Sequence, residues 1–100
     1  MKGKDRAELR AEAHHLRPTV HVGHHGITDT LLQSLDDALE ARELVKIQIE
    51  RNAPLTVKEA ANELADQVKA EVIQVIGRKT TLYRFNPHLH KNPDAPPAWR

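Results

Sequence analysis

The chain has 100 residues, which is the size of one domain. Hydrophobic residues make up 39% of it and charged residues 29%, a balance typical of a soluble globular protein and not of a disordered one. The lack of cysteine excludes disulfides, thiolate metal sites and cysteine nucleophiles. No apolar run approaches the ~20 residues that span a bilayer, and no apolar signal core follows the basic start of the chain. We therefore expect a cytoplasmic protein.

The net charge is only +1, but it is unevenly distributed. Residues 1–26 hold five basic and three acidic side chains, residues 27–76 hold five and ten, and residues 77–100 hold five and one. If the fold brings the two basic ends of the chain together, one face becomes positive and attracts phosphates. The alternative is the ordinary scatter of charge over short windows.

The first half of the chain predicts a helix, a short strand and a second helix. Residues 5–16 have the apolar period of a helix, which Pro18 ends. Residues 19–22 read as a short strand. Thr28 is a good N-cap, and the apolar period after it continues to about Arg42.

The second half predicts three strands and one helix. Residues 44–50 alternate between apolar and polar, as a half-buried strand does, and Thr56 opens a capping box at the start of the next helix. Residues 71–76 and 80–85 are rich in strand-forming residues and flank the tight turn at residues 77–79, so they predict a hairpin. The order α-β-α-β-α-β-β predicts an α/β fold in two layers, a single sheet with helices on one side.

Residues 1–86 are expected to form one domain. From Asn86 onward the composition changes, because four of the six prolines follow it, at positions 87, 93, 96 and 97. Residues 87–100 are therefore predicted to be an extended or disordered tail.

The loop Gly23-His24-His25-Gly26 joins the first predicted strand to the second helix. Glycine has no Cβ, so a ligand can approach its main chain, and it accepts positive φ. The first amides of the following helix are unpaired and carry partial positive charge, which suits phosphate. A G-x-x-G loop clamps single-stranded RNA in KH domains. Two glycines three apart also serve ordinary turns, and the lysine and hydroxyl residue of a nucleotide P-loop are missing here.

Several further segments resemble one family, and they surround this loop at ordered spacings. They are Leu16-Arg17-Pro18, Val22 to Thr28, Ala38 to Ile47, Val75-Ile76-Gly77-Arg78 and Leu82-Tyr83-Arg84. Together they resemble the CRM domain (chloroplast RNA splicing and ribosome maturation), and most closely its stand-alone bacterial YhbY-like form. The resemblance covers about residues 7–85.

The resemblance implies an α-β-α-β-α-β-β fold with a mixed four-stranded sheet, similar to the C-terminal domain of translation initiation factor 3. It also implies RNA binding without catalysis, on ribosomal RNA in precursors of the large ribosomal subunit. Gly23 and Gly26 match the glycine loop of the family, and Arg17, Arg78 and Arg84 match positions that tend to be basic. His24 and His25 depart from the family, whose loop commonly holds Lys, Arg or Asn there.

Two further cations complete the expected RNA-binding set. Lys79 follows Arg78 in the hairpin turn, and Lys46 points to the face of its strand opposite the core residues. If that face is open, Lys46 and Arg84 could both line it. Only three residues are aromatic, which favours contact with the RNA backbone over base stacking. The acidic helix faces, at residues 36, 37, 40, 59, 63 and 66, are interpreted as solvated surface turned away from RNA.

The histidines leave two alternatives open. His21, His24 and His25, with His14 and His15 nearby, could bind a metal, but no carboxylate or thiolate joins them at a characteristic spacing. His24 and His25 could also act as a general acid and base in RNA cleavage. A module that binds protein is a third possibility. We expect a monomer that binds RNA, with no catalytic residue, metal or cofactor.

Overall fold

The computed structural model describes residues 3–87, and the side chains from Arg6 onward. The elements follow in the predicted order: α1 (Gly3–Ala13), β1 (Val20–Val22), α2 (Asp29–Arg42), β2 (Leu44–Ile49), α3 (Val57–Val68), β3 (Glu71–Ile76) and β4 (Lys79–Tyr83). The segment predicted to be a tail lies outside the described residues from position 88 onward. Within residues 3–87, no helix has the length and apolarity needed to cross a membrane.

The four strands form one mixed sheet in the order β1-β2-β4-β3. β1 runs parallel to β2, whereas β4 runs antiparallel to both β2 and β3. The ends of β1 and β2 and the β3–β4 turn therefore meet at one end of the sheet. We call this the loop end, formed by residues 23–26, 50–56 and 77–78. The opposite end, formed by residues 43–44 and 83–86, is called the closed end.

The main core lies between one face of the sheet and the helices α2 and α3. β2 contributes Val45, Ile47 and Ile49 to it, and β4 contributes Leu82, all of them buried. Alternation along residues 44–50 had predicted this face, because successive side chains of a strand point to opposite sides.

α1 packs against the other face of the sheet, where Leu9 contacts Leu44 and Ile73. Leu44 and Val45 are neighbours in β2 and so point to opposite faces. The prediction that the helices lie on one side therefore holds for α2 and α3, and is wrong for α1. Leu44 and Ile73 form an apolar patch near the closed end, and α1 covers it. Toward the loop end, beyond the end of α1, no helix within residues 3–87 packs on this second face, and we call that part the open face.

Two helix starts match their sequence signals. The hydroxyl of Thr28 accepts a hydrogen bond from the N–H of Leu31 at 3.1 Å, a cap whose loss costs roughly 1 kcal/mol. Thr56 and Glu59 exchange hydrogen bonds of 2.9 and 3.1 Å in a complete capping box. The hydrogen bonds with Thr56 lower the pKa of Glu59, because they favour its charged form.

The last strand is shorter than the predicted range 80–85 and ends at Tyr83. The N–H of Arg84 then donates to the carbonyl of Glu43 at 2.9 Å, and the N–H of Asn86 donates to the carboxylate of Glu43 at 2.7 Å. Glu43 is fully buried at the end of α2. These bonds hold the chain against α2 and prevent it from continuing along the sheet.

Candidate nucleic-acid interface

The glycine loop forms a tight turn at the loop end of the sheet. The N–H of Gly26 donates to the carbonyl of Gly23 at 2.9 Å, which places His24 and His25 at the exposed tip. The two imidazole rings lie 3.8 Å apart between centroids, with their planes tilted by 41°. Both side chains are therefore free to meet a ligand that approaches from solvent.

The two glycines of the loop have different environments. Gly26 is buried at a φ of +69°, and a Cβ there would lie 3.0 Å from Cγ of Pro54. Its N–H is already used within the turn, so Gly26 is needed for the shape of the loop and not as the point of contact. A Cβ on Gly23 would meet nothing within 4 Å. Gly23 is thus the glycine that leaves the main chain accessible to a phosphate.

The start of α2 adds a weaker attraction for anions. The first amides of a helix have no partner within the helix, and their partial positive charge points toward the glycine loop here. The hydroxyl of Thr28 satisfies one of them, and Asp29 places a carboxylate in the first turn. The positive end of the helix is therefore partly neutralised, and the loop end depends on basic side chains for most of its charge.

Arg78 is the most central of these basic side chains. A φ of +60° at Gly77 produces the tight turn between β3 and β4, and Arg78 is exposed beside it. Arg78 lines three grooves of about 510, 530 and 560 Å³. One extends along the open face with Lys79, and two pass between the hairpin and the loop after β2.

Arg51, in the loop after β2, lines two of these grooves with Arg78. Within residues 3–87, neither of these arginines nor Lys79 pairs with a carboxylate. The carboxylate of Glu50 also lines one groove, and it lies 3.2 Å from Nδ1 of His21. Arg51 was not among the residues predicted from the sequence. Arg51 lies two residues after β2, which brings it to the same edge as the glycine loop after β1, because parallel strands end at the same edge of a sheet.

Lys46 lies on the open face, as predicted, but its ammonium group already donates hydrogen bonds within the protein. Nζ donates to the carbonyls of Ala13 at 2.8 Å and Leu16 at 3.4 Å, and so closes the C-terminal end of α1. Burial lowers the pKa of Lys46, and repulsion from the nearby Lys79 lowers it further. The positive charge of Lys46 therefore adds to that of Lys79, although its position is fixed by α1.

Two predicted arginines lie elsewhere. Arg17 is exposed, but it precedes β1, whereas the glycine loop follows that strand. Arg84 lies at the closed end, where its guanidinium contacts Asp36 at 2.6 Å and Glu40 at 3.3 Å. Arg84 therefore does not line the open face with Lys46, which corrects its expected position, and its contact with RNA stays a prediction. Asp36 and Glu40 are likewise partners of Arg84 and not simply solvated surface.

The remaining predicted residues come together. Gly23, His24, His25, Gly26, Arg78 and Lys79 all lie at the loop end or beside it. In the part of the chain that the structure describes, no three histidine or acidic side chains are grouped closely enough to hold a metal ion.

The chain matches known proteins over most of its length. Residues 1–84 match the model of the CRS1/YhbY (CRM) domain. The chain is 34% identical over 84 residues to "Probable RNA-binding protein YqeI" of Bacillus subtilis, an alignment covering 84% of this chain and 88% of the relative. It is 36% identical to "Probable RNA-binding protein MJ0652" of Methanocaldococcus jannaschii, with coverages of 93% and 73%.

A solved structure shares the fold. The solution structure of the hypothetical protein SAV1595 from Staphylococcus aureus superposes with a TM-score of 0.73 at 35% identity. The match covers 86% of this chain and 90% of the other. The mixed four-stranded sheet and its three helices are thus those of a known fold. With the family match over residues 1–84, this shows that the chain belongs to the CRS1/YhbY (CRM) domain family.

Proposed function

We propose that the protein binds RNA through the loop end of its sheet and does not act on it chemically. The observation that carries this proposal is the grouping of Arg51, Arg78 and Lys79 without carboxylate partners among the described residues, beside an accessible Gly23. Relatives named as RNA-binding proteins support it.

The mechanism is contact with the phosphate backbone. The arginines provide several donors each and pair well with phosphate oxygens. Gly23 allows a phosphate to approach the main chain, and His24 and His25 meet it from the tip of the loop. Displacement of counterions from RNA should provide much of the affinity, which therefore falls steeply with salt.

The target that we propose is ribosomal RNA in precursors of the large ribosomal subunit, where the protein assists assembly as a cytoplasmic monomer. The resemblance to the stand-alone bacterial CRM proteins is the support for this target. The two rival functions are an RNA-processing enzyme that depends on a metal or on histidine, and a module that binds protein.

The electrostatic contribution to RNA binding is tested by titrating labelled ribosomal RNA fragments with the protein at increasing salt concentrations. Fluorescence anisotropy reports the binding. We expect a linear fall of log affinity with log salt. The double variant Arg51→Ala/Arg78→Ala should reduce the slope by about one for each arginine. Arg42→Ala is the matched control, since Arg42 is exposed in the last turn of α2 at the closed end. A slope that stays the same in the double variant would place the RNA elsewhere on the molecule.

The cellular target is tested by sedimentation of cell extract followed by crosslinking. The protein should travel with large-subunit precursors, crosslink to their RNA, and leave these particles when the RNA is digested. Retention after RNA digestion would favour a protein partner. Loss of intact labelled RNA during incubation with the pure protein would favour the alternative function, an RNA-processing enzyme.

A further inference from the structure

The groove on the open face has features that backbone contact does not require. It has a volume of about 510 Å³, within the range of roughly 300–1,000 Å³ typical of sites for small ligands. Its walls are the open face of the sheet, the end of α1 and the β3–β4 hairpin. This space is large enough for one nucleotide.

Thr81 lies in this groove with an unsatisfied hydroxyl. Its side chain is fully buried, and Oγ1 has no hydrogen-bond partner within the described chain. Buried polar groups are nearly always paired, because an unpaired one costs stability. The neighbouring Thr80 shows the usual arrangement on the opposite face, since its hydroxyl donates to the carbonyl of Gln74 at 3.0 Å. The hydroxyl of Thr81 thus lies buried at the groove with its hydrogen-bonding capacity unused within the described chain.

Two side-chain amides lie beside that hydroxyl. Gln48 in β2 and Gln74 in β3 are half-buried and line the same groove. Within residues 3–87, neither amide makes a hydrogen bond. An amide offers both donors and an acceptor, as the edges of nucleobases do. Ile76, with 55% of its surface exposed, adds an apolar side against which the plane of a base can lie.

The charge of the groove fits an anionic ligand. Lys46, Arg78 and Lys79 line it, and none of its nine described lining residues is acidic. Burial lowers the pKa of Lys46 and the neighbouring charge of Lys79 lowers it further, so an anion close to both side chains would favour the charged form of Lys46. The groove thus combines cations for a phosphate with uncharged polar groups that can face a base.

We propose that this groove binds one unpaired nucleotide of the RNA and distinguishes its base. Thr81, Gln48 and Gln74 form hydrogen bonds with the edge of the base, while Arg78 and Lys79 hold its phosphate. Enzymes that extrude a base read it in this way, through hydrogen bonds to its edge and apolar contact with its plane. The inference rests on the proposed function, and it adds a preference for single-stranded RNA of particular sequence.

The probes are single-stranded oligoribonucleotides of about ten nucleotides made only of A, C or U, and a duplex of the same length. The intact protein should bind one single strand more tightly than the others by about threefold or more. The variant Gln48→Ala/Gln74→Ala should bring the three affinities together and leave duplex binding unchanged. Gln67→Ala, on α3 behind the opposite face, should bind like the wild type.

Thr81→Val gives the sharpest test, because it removes the hydroxyl and keeps the shape of the side chain. We expect affinity for the preferred strand to fall by about three- to tenfold. Resistance to urea should stay the same or increase, since no hydrogen bond of the free protein is lost. Thr80→Val should instead lower the resistance to urea, because it leaves the carbonyl of Gln74 without its donor.

Three results would overturn the inference. If Thr81→Val and Gln48→Ala/Gln74→Ala both bind every probe like the wild type, the groove takes no base, although salt-dependent binding at the loop end can still hold. If the wild type binds the three single strands equally, the groove does not distinguish bases. If it binds no RNA at all, the proposed function and this inference fail together.

Discussion

Arg78 and Arg84 stand at the two ends of the same strand, one residue before β4 and one residue after it. Arg78 is exposed at the loop end and pairs with no carboxylate within the described residues. Arg84 has only 19% of its side chain exposed and donates to Asp36, to Glu40 and to the carbonyl of Val68. The same residue type thus faces solvent at one end and closes the fold at the other.

This difference arises from the helices and not from the strand. The second half of α2 brings the carboxylates of Asp36 and Glu40 to the Arg84 guanidinium, and the end of α3 brings the carbonyl of Val68. At the loop end Glu50 and Glu59 line grooves with Arg78, but within residues 3–87 neither forms an ion pair with it, so Arg78 has no comparable partner there. Basic character in a strand or turn is therefore a poor guide to RNA contact unless the partners of the side chain are known.

The largest expected effect is on stability at the closed end. Arg84→Met keeps the apolar stem and removes the charged donors, so we expect the free energy of unfolding to fall by about 2–3 kcal/mol. Arg78→Met should change it by less than about 0.5 kcal/mol, since the side chain is exposed and forms no ion pair within residues 3–87. Urea unfolding followed by circular dichroism measures both.

The RNA affinities of the two variants should show the reverse order. Folded Arg84→Met should bind RNA like the wild type, and Arg78→Met should bind more weakly at low salt. A loss of RNA affinity in Arg84→Met without a loss of stability would mean that the closed end also contacts RNA.

The second prediction separates the two glycines of the loop end. In Gly26→Ala, the positive φ and the close approach to Pro54 should lower the free energy of unfolding by about 1–2 kcal/mol. In Gly23→Ala, stability should stay within about 0.5 kcal/mol of the wild type, because the new methyl group meets nothing. Urea unfolding of both variants gives the comparison.

RNA binding then tests what Gly23 is for. If a phosphate lies against the main chain there, Gly23→Ala should weaken RNA binding severalfold in anisotropy titrations despite its wild-type stability. Unchanged affinity would show that the phosphates keep clear of the loop backbone and meet only side chains.

Local signals predicted most of the fold because they act over a few residues. The capping residues Thr28 and Thr56 form the hydrogen bonds that their positions indicated. Alternation along β2 identified its core face, and the turn at Gly77 marked the hairpin. The resemblance to the CRM family then indicated the mixed sheet, which no local pattern determines, because the pairing partners are distant in the sequence.

The candidate site could be predicted only in part, for the same reason. The glycine loop and Arg78 were visible as motifs, but Arg51 became significant only when β1 and β2 proved to be parallel neighbours. The carboxylate partners of Arg84 lie 44 and 48 residues away in the chain. The position of α1 on the second face likewise depended on Leu44 and Ile73, which come together only in the folded sheet.

The smallest expected effect concerns the charge of the loop tip. Histidine is the side-chain type whose charge ordinarily changes between pH 5 and 8, so contact of His24 and His25 with RNA predicts an affinity that rises as the pH falls from about 8 to about 6. Since both are exposed beside the accessible Gly23, their charge should attract phosphate. We expect RNA affinity at low salt to rise by about three- to tenfold over this range, measured by anisotropy at constant ionic strength.

His24→Ala/His25→Ala is the variant that isolates this effect. Two other histidines lie close enough to add to it: His14 lines the groove on the open face, and His21 lies beside the carboxylate of Glu50. The double variant should therefore keep a weaker rise in affinity, which His14→Ala should reduce further. If the double variant retains the full rise, the pH dependence comes from the open face, and at the tip only the main chain of the loop meets the RNA.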